Sequence, residues 1–324
     1  MQQEIRFATF NVCNLAPPGM RLYDNLPLLT VEEYEAKLDW TARQIDLLDA
    51  DLIGFQEIFS QSVLREVIAR TLHYRDAVHV GFDPDPLAER LTPSVALVSR
   101  LPLAAPATSH SAFPDGISMP ADSRDPDHFA RPVLHAAVVV SPDCTVDVFV
   151  LHLKSKRPDY RNGDSAEDAK LYALACLRSL IWRGTEAVAL RVLLCNLARE
   201  HRRPRVVLGD FNDVADAVTT GIVMGAGGPL GERLFDAAQS QRQIDPLRNV
   251  GFSCLHEGQH STIDHILVSE DFHGDLPNAI GEVVDVVYLN DHLVLGLPQA
   301  SDHGQVLARI RLFDETRGLE TSGL

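Results

Sequence analysis

The segment His256-Glu257-Gly258-Gln259-His260 has the H-E-x-x-H spacing of a zinc-binding helix, and it runs straight into Ser261-Thr262-Ile263-Asp264-His265, where a carboxylate sits in an apolar run. A zinc site of that type needs both histidines one turn apart on a single helix face. Gly258 in the middle, the β-like flanks GFSCL and STIDHILVS, and the want of a third ligand at useful spacing argue instead for a hairpin turn between two strands. Asp264 is then the residue of chemical interest.

Other polar side chains close apolar runs in the same way. Asn11 ends ATFNV, Glu57 ends IGFQE, His152 follows VFVL, Asp210 and Asn212 stand in VLGDFN, and Asp302-His303 stands in ASDHG. None is specific alone: asparagine is a common turn former, a glutamate after an apolar strand is usually its exposed end, and Asp-His pairs recur, as at Asp291-His292, which reads as loop. Asp210 and Asn212 say more, because residues two apart on an extended segment project to the same side.

The elements that must position these residues are short apolar runs. Residues 5–12, 51–57, 94–100, 133–140, 146–153, 205–212, 262–269 and 304–312 read as strands, several ending on one of the polar residues above. Thr30 and Glu33 form a capping box, and Tyr34, Leu38, Ile45 and Leu48 make one apolar face of a helix ending near Leu48. Residues 167–200 are mostly helical, with Gly184 expected to break them into two segments. Residues 104–132, with five prolines, read as a long loop. Strands and helices in irregular alternation predict an α/β fold of two packed mixed sheets covered by helices, a four-layer α-β-β-α sandwich. With no repeat or linker, the reading is one domain over 1–324.

Bulk properties narrow the function. The 324 residues are 45% hydrophobic and 23% charged, and no apolar run approaches the ~18 residues of a membrane span. The N-terminus lacks the pattern of a signal peptide, and five scattered cysteines without C-x-x-C spacing suggest free thiols, so a cytoplasmic location is expected. A net charge of −16 is unfavourable for a protein that grips nucleic acid by neutralising phosphates, unless its few cations are concentrated locally. The only dense basic stretches are HLKSKRP (152–158) and REHRRPR (199–205).

In their order, the pieces resemble the endonuclease/exonuclease/phosphatase superfamily: strand-Asn, Q-E, S-R-x-P (VSRLPL), H-x-K, G-D-F-N, I-D and a closing S-D-H, from residue 5 to 312. The resemblance implies a metal-dependent phosphoester hydrolase using Mg²⁺ or Mn²⁺. Glu57 would be the principal ligand, with Asn11 and Asp302 close by, directly or through water. His303 and Asp264 would sit at the scissile phosphate, the imidazole acting as base or clamp. Asp210 would orient the water, Asn212 would donate to a phosphate oxygen or position that water, and His152 would donate to the phosphate or protonate the leaving oxygen. The division of base and acid among His303, Asp210 and His152 stays open. Arg131, in an Arg-Pro shared with many relatives, and Lys154 are candidate substrate contacts. The final motif departs from the usual S-D-H-x-P-V, having Gly304-Gln305. H-x-K-S-K, similar to certain bacterial nucleases, makes nucleic acid the leading substrate, with a small-molecule or lipid-headgroup phosphoester as the alternative. No membrane and no obligate protein partner are expected.

Overall fold

The computed structural model describes residues 3–313 apart from 24–25, 84–91, 120–126, 162, 242–250 and 257. The first half runs β1 (Glu4–Leu15), α1 (Val31–Leu48), β2 (Leu52–Ile58), α2 (Gln61–Arg70), β3 (Val78–Gly81), β4 (Ser94–Ser99), β5 (Thr108–Ala112), β6 (His128–Ser141) and β7 (Cys144–His152). The second runs α3 (Ala169–His201), β8 (Arg205–Asp210), α4 (Val218–Met224), β9 (Leu234–Asp236), α5 (Ala237–Ser240), β10 (Cys254–His256), β11 (Gln259–Ser261), β12 (Asp264–Ser269), β13 (Gly281–Leu289), α6 (Asp291–Leu295) and β14 (Gln305–Leu312).

Two six-stranded sheets result, ordered β13-β14-β1-β2-β4-β3 and β5-β6-β7-β8-β12-β9. Each is antiparallel except for one pair, β1 with β2 and β7 with β8. A parallel pair cannot be closed by a tight turn and needs a crossover, here α1 in one sheet and α3 in the other. The period of two then sorts the side chains. Phe7, Leu52 and Leu97 of the first sheet meet Val148, Val150, Val206, Leu208 and Ile266 of the second in a core between the sheets. The opposite faces bury Phe10, Ile53 and Phe55 under Leu38 and Ile45 of α1, and Phe149, Leu151 and Val207 under Leu190 and Leu194 of α3. Helix, sheet, sheet and helix are therefore stacked, as the sequence predicts.

Gly54 lets the sheets come this close. A β-carbon there would lie 2.1 Å from Leu208 Cδ1 and 2.9 Å from Val150 Cγ1, both on the facing sheet. Outside, the Thr30–Glu33 capping box closes the N-terminus of α1, Thr30 Oγ1 accepting from Glu33 N and Glu33 Oε2 from Thr30 N. Such caps contribute on the order of 1 kcal/mol.

Three expectations need correction. α3 is one helix of 33 residues that passes through Gly184 without a break. A helix glycine costs only about 1 kcal/mol, too little to end a helix whose Ala187, Ala189, Leu190 and Leu194 are anchored in the core. Residues 104–132 are not all loop, since β5 pairs with β6, which begins at His128; 120–126 lie outside the described residues. Pro132 is tolerated because the β5–β6 register is irregular between His110 and Ala112, where the missing N–H costs no ladder bond. Asp291-His292 opens α6, and His292 is buried against Trp40.

The expected hairpin is present. His256 pairs with Gln259 across a two-residue turn, with Gly258 at φ 78°, so His256 and His260 lie on strands and not on a helix. Glu257 itself lies outside the described residues. No helix among the described residues is long and apolar enough to cross a membrane.

Candidate active site

Strand parity carries four of the predicted residues to one end of the inter-sheet core. Asn11 shares a face with Phe7, His152 with Val148 and Val150, Asp210 with Val206 and Leu208, and Asp264 with Ile266 and Val268. Register does the rest. β7 aligns His152 with Asp210, and β12 aligns Asp264 with Asp210, so Asp210 lies between them. All four are at least 97% buried.

Glu57 reaches the same place by breaking parity. Ile53 and Phe55 face α1, and a regular strand would send Glu57 there too. Its backbone turns left-handed instead, at φ 64°, and the carboxylate takes Asn11 Nδ2 at 3.3 Å and Asn14 N at 2.9 Å. Cys13, Asn14 and Asn212, beside the same cleft, also have positive φ; Asp49 and Arg202 complete the described non-glycine set as helix C-caps. Such residues cost roughly 1–3 kcal/mol each and collect where a site over-determines its backbone.

Hydrogen bonds tie the parts together. Asn11 donates from Nδ2 to Asp210 Oδ2 (3.1 Å) as well as to Glu57, while its Oδ1 accepts from Cys13 N (3.0 Å). The amide therefore presents its amino group to both carboxylates. His152 Nε2 lies 3.3 Å from Asp210 Oδ2, and His303 Nε2 lies 3.9 Å from it. His303 Nδ1 is 2.8 Å from Asp264 Oδ2. Asp210 Oδ1 accepts from Asn212 N at 2.8 Å, and Asn212 Nδ2 donates to Leu153 O. Asp302, in contrast, is exposed; burial first, then the charges of Asp302 and Glu57, push the Cys13 thiol up to about 12.

Charge in the cleft is uneven. Burial raises the Asp210 carboxyl first, repulsion from Asp264 and Glu57 adds to it, and His303 and Asn212 N oppose, leaving it at about 7. Burial lowers His303, but Asp264 and Asp210 outweigh it and hold the imidazole well above its usual range. His152 goes the other way, pushed well down by burial, then by Arg131 and His303. The cleft thus holds one imidazolium, one neutral imidazole and a carboxyl poised near neutrality.

The sequence profile of the Endonuclease/Exonuclease/phosphatase family matches residues 8–303. The chain belongs to this family. As a member it is a metal-dependent phosphoester hydrolase. Solved structures show the same fold. An endonuclease/exonuclease/phosphatase from Bacteroides vulgatus superposes with a TM-score of 0.60 at 16% identity, covering 96% of this chain and 100% of that one. A mannosyl-6-phosphatase from Bacteroides thetaiotaomicron gives 0.58 at 16% identity, covering 94% and 99%. The catalytic domain of human Nocturnin, with bound sulfate, gives 0.59 at 15% identity, covering 96% and 98%. No curated protein sequence matches the chain.

For a family member, the donor set fits a hard divalent cation. Asp210 and Asp264 offer carboxylate oxygens beside His303, the three groups lying within 4.8 Å of one another, and Asp264 Oδ1 is buried without a hydrogen-bond partner. Glu57 brings a further carboxylate, half-buried, across Asn11. Oxygen donors of this kind suit Mg²⁺ or Mn²⁺.

Two predicted contacts also bond within the protein, Arg131 while lying close enough to His152 to act on its imidazole. Lys154 Nζ is held by Ser179 Oγ, Ser155 O and Arg157 O, and Arg131 Nη1 donates to Leu153 O. The S-R-x-P residues Ser99 and Arg100 sit at the far end of β4, where Arg100 pairs with Asp49 and Asp51. Three supporting residues escaped the sequence reading, and Ser301 of the closing S-D-H gains a role. Ser301 Oγ donates to Asn11 O and accepts from His303 N; Ser253 Oγ accepts from Asp264 N; His292 Nε2 donates to His303 O. Buried Glu186 of α3 accepts from Ala130 N and Lys154 N, tying β6 to the segment that follows His152. On α3, Ser179, Arg183 and Glu186 recur at helical spacing on the buried face, the one signal the sequence carried for Glu186.

Proposed function

We propose that the chain, acting as one domain, hydrolyses phosphoesters of small molecules in the cleft around Asp210. The observation that carries this reading is the convergence on one carboxylate of Asn11, His152, Asn212 and the His303–Asp264 pair. Glu57 is the principal ligand for Mg²⁺ or Mn²⁺, with Asp302 beside it and Asn11 holding Glu57 and Asp210 in register. When bound, the cation neutralises charge on the non-bridging phosphate oxygens.

The protein's own groups supply the rest. His303, kept protonated by Asp264 and Asp210, donates to a phosphate oxygen and stabilises developing negative charge. Asp210, with a proton affinity near neutrality and its Oδ1 fixed by Asn212, accepts the proton of the attacking water. His152, held neutral, donates an N–H to the substrate from the adjacent strand.

Small substrates are favoured because several cations of the basic stretches already face carboxylates. Lys156 pairs with Asp213, Arg199 with Glu232 and Arg203 with Asp147, while Arg205 is 97% buried. With a net charge of −16, little cationic surface is left to hold a polyphosphate strand. The experiment is turnover of a panel of sugar, nucleotide and alkyl phosphates with Mg²⁺ or Mn²⁺. Glu57→Gln and His303→Ala should each lower kcat/KM on the order of 10²–10³-fold. Activity that survives both substitutions overturns the site.

A second reading, cleavage of nucleic acid, rests on the H-x-K-S-K stretch at 152–156. Plasmid or single-stranded DNA or RNA cut in the presence of metal, with the small phosphoesters untouched, would put this reading first.

A further inference from the structure

β1 ends in a left-handed coil. Cys13 and Asn14 are consecutive non-glycine residues with positive φ, at 53° and 59°. Such backbone is strained and persists only where its surroundings hold it. The main chain accounts for the coil itself. Cys13 N donates to Asn11 Oδ1 at 3.0 Å, and Asn14 N donates to Glu57 Oε2 at 2.9 Å. Both bonds come from backbone N–H groups, so any residue able to hold this conformation, glycine above all, would make them.

The Asn14 side chain is left to be explained. Its Nδ2 lies 3.7 Å from Cys13 Sγ, while its Oδ1 is shut off from bulk solvent without a hydrogen-bond donor. A buried acceptor left without a donor is costly. Asparagine is a frequent occupant of left-handed backbone, but that preference concerns φ and ψ and gives the orphaned oxygen no partner.

The neighbours of this oxygen are acceptors too. The same residue's N–H holds Glu57, and the Cys13 sulfur that the amide touches stands in the field of both Asp302 and Glu57. Lys37 also acts on that thiol, yet makes no bond to Asn14 Oδ1. Oxygens gathered in one corner repel one another unless positive charge, or water polarised by it, lies among them. A hard cation such as Mg²⁺ keeps several of its waters, and those waters need acceptors around them.

We propose that Asn14 is a further positioning residue of the cation site, its Oδ1 accepting from the hydration shell of the ion that Glu57 holds. This rests on the reading of Glu57 as principal ligand, and adds an uncharged oxygen to the acidic ones. Loss of such an outer partner typically weakens metal binding about 10–100-fold.

Calorimetric titration of Mg²⁺ into the full chain tests it, with wild type, Glu57→Gln, Asn14→Gly and Asn14→Asp side by side. Asn14→Gly keeps the left-handed backbone and the N–H on Glu57 and removes only the amide. Its Kd should rise about tenfold. A side chain that serves the turn alone would leave Kd unchanged, and that result overturns the inference. Asn14→Asp keeps an oxygen in place and should bind Mg²⁺ as tightly as wild type or more tightly. Weaker binding than wild type overturns the inference, and this variant decides alone should Asn14→Gly fail to fold. Rates on the phosphoester panel give a second readout. Asn14→Gly should need about tenfold more Mg²⁺ for half-maximal rate and regain the wild-type kcat/KM at saturation. A deficit that persists at saturating Mg²⁺ overturns the assignment to the cation. Wild type that binds no Mg²⁺, or binds it no better than Glu57→Gln, overturns the cation site itself. Affinity that depends on Glu57 but not on Asn14 overturns the inference alone.

Discussion

At the scale of single residues, the cleft works by placing ionisable groups in unequal surroundings. His303 and His152 are both buried imidazoles on the same carboxylate, yet one is driven up and the other down, because only His303 has Asp264 at 2.8 Å. Asp264→Asn should therefore bring the His303 value down toward the ordinary range. The alkaline limb of the pH–rate profile should move to lower pH, with kcat/KM reduced on the order of 10²-fold at pH 8. Imidazole titration followed by NMR checks the first effect, and a rate profile the second. Stability carries the same sign: His303 contributes fully below the unfolded histidine value near ~6.5, and the contribution is lost as pH rises through the raised folded value.

At the scale of elements, the long helix is the least expected feature and the easiest to test. Gly184 lies within α3, and a β-carbon there would meet nothing within 4 Å. Gly184→Ala should stabilise the protein by roughly 0.5–1 kcal/mol in denaturant unfolding, with activity unchanged. Glu186→Ala should have the opposite effect, because two buried backbone N–H groups lose their acceptor. A loss of about 2–4 kcal/mol is expected, together with a fall in kcat as the chain around His152 loosens. The strands that carry the site were legible because period-two alternation and a polar terminus are local properties; Asn11, His152, Asp210 and Asp264 all follow from them. Glu57 was legible as a residue but not as a conformation, since nothing local announces φ 64°. Ser253, His292 and Glu186 were not legible, and Ser301 was legible only as part of S-D-H, because the groups they hold are brought to them by strand pairing and helix packing. Gly184 misled for the reverse reason: a local propensity was overruled by burial on both sides.

At the scale of the whole molecule, charge dominates. A net charge of −16 surrounds a cleft that concentrates Glu57, Asp210, Asp264 and Asp302. Asp210, raised to about 7 from an unfolded value near ~3.9, costs stability as pH rises across that interval, because its carboxylate is worse off folded than unfolded. A divalent cation held chiefly by Glu57 should offset this by placing positive charge beside the Asp210 carboxylate. Mg²⁺ is thus expected to raise Tm at pH 8 much more than at pH 5, approaching about 2.7 kcal/mol at a hundredfold excess over Kd. Calorimetry at both pH values, with Glu57→Gln as control, measures it; an equal shift at both would place the binding elsewhere.

Gly54 has one more consequence. The cleft is shared between two layers, Asn11 and Glu57 on one and His152, Asp210 and Asp264 on the other, and the glycine sets how near they stand. Turnover is therefore a gauge of how firmly the halves are pressed together. A methyl group introduced at that position should silence the enzyme while circular dichroism still records intact strands and helices.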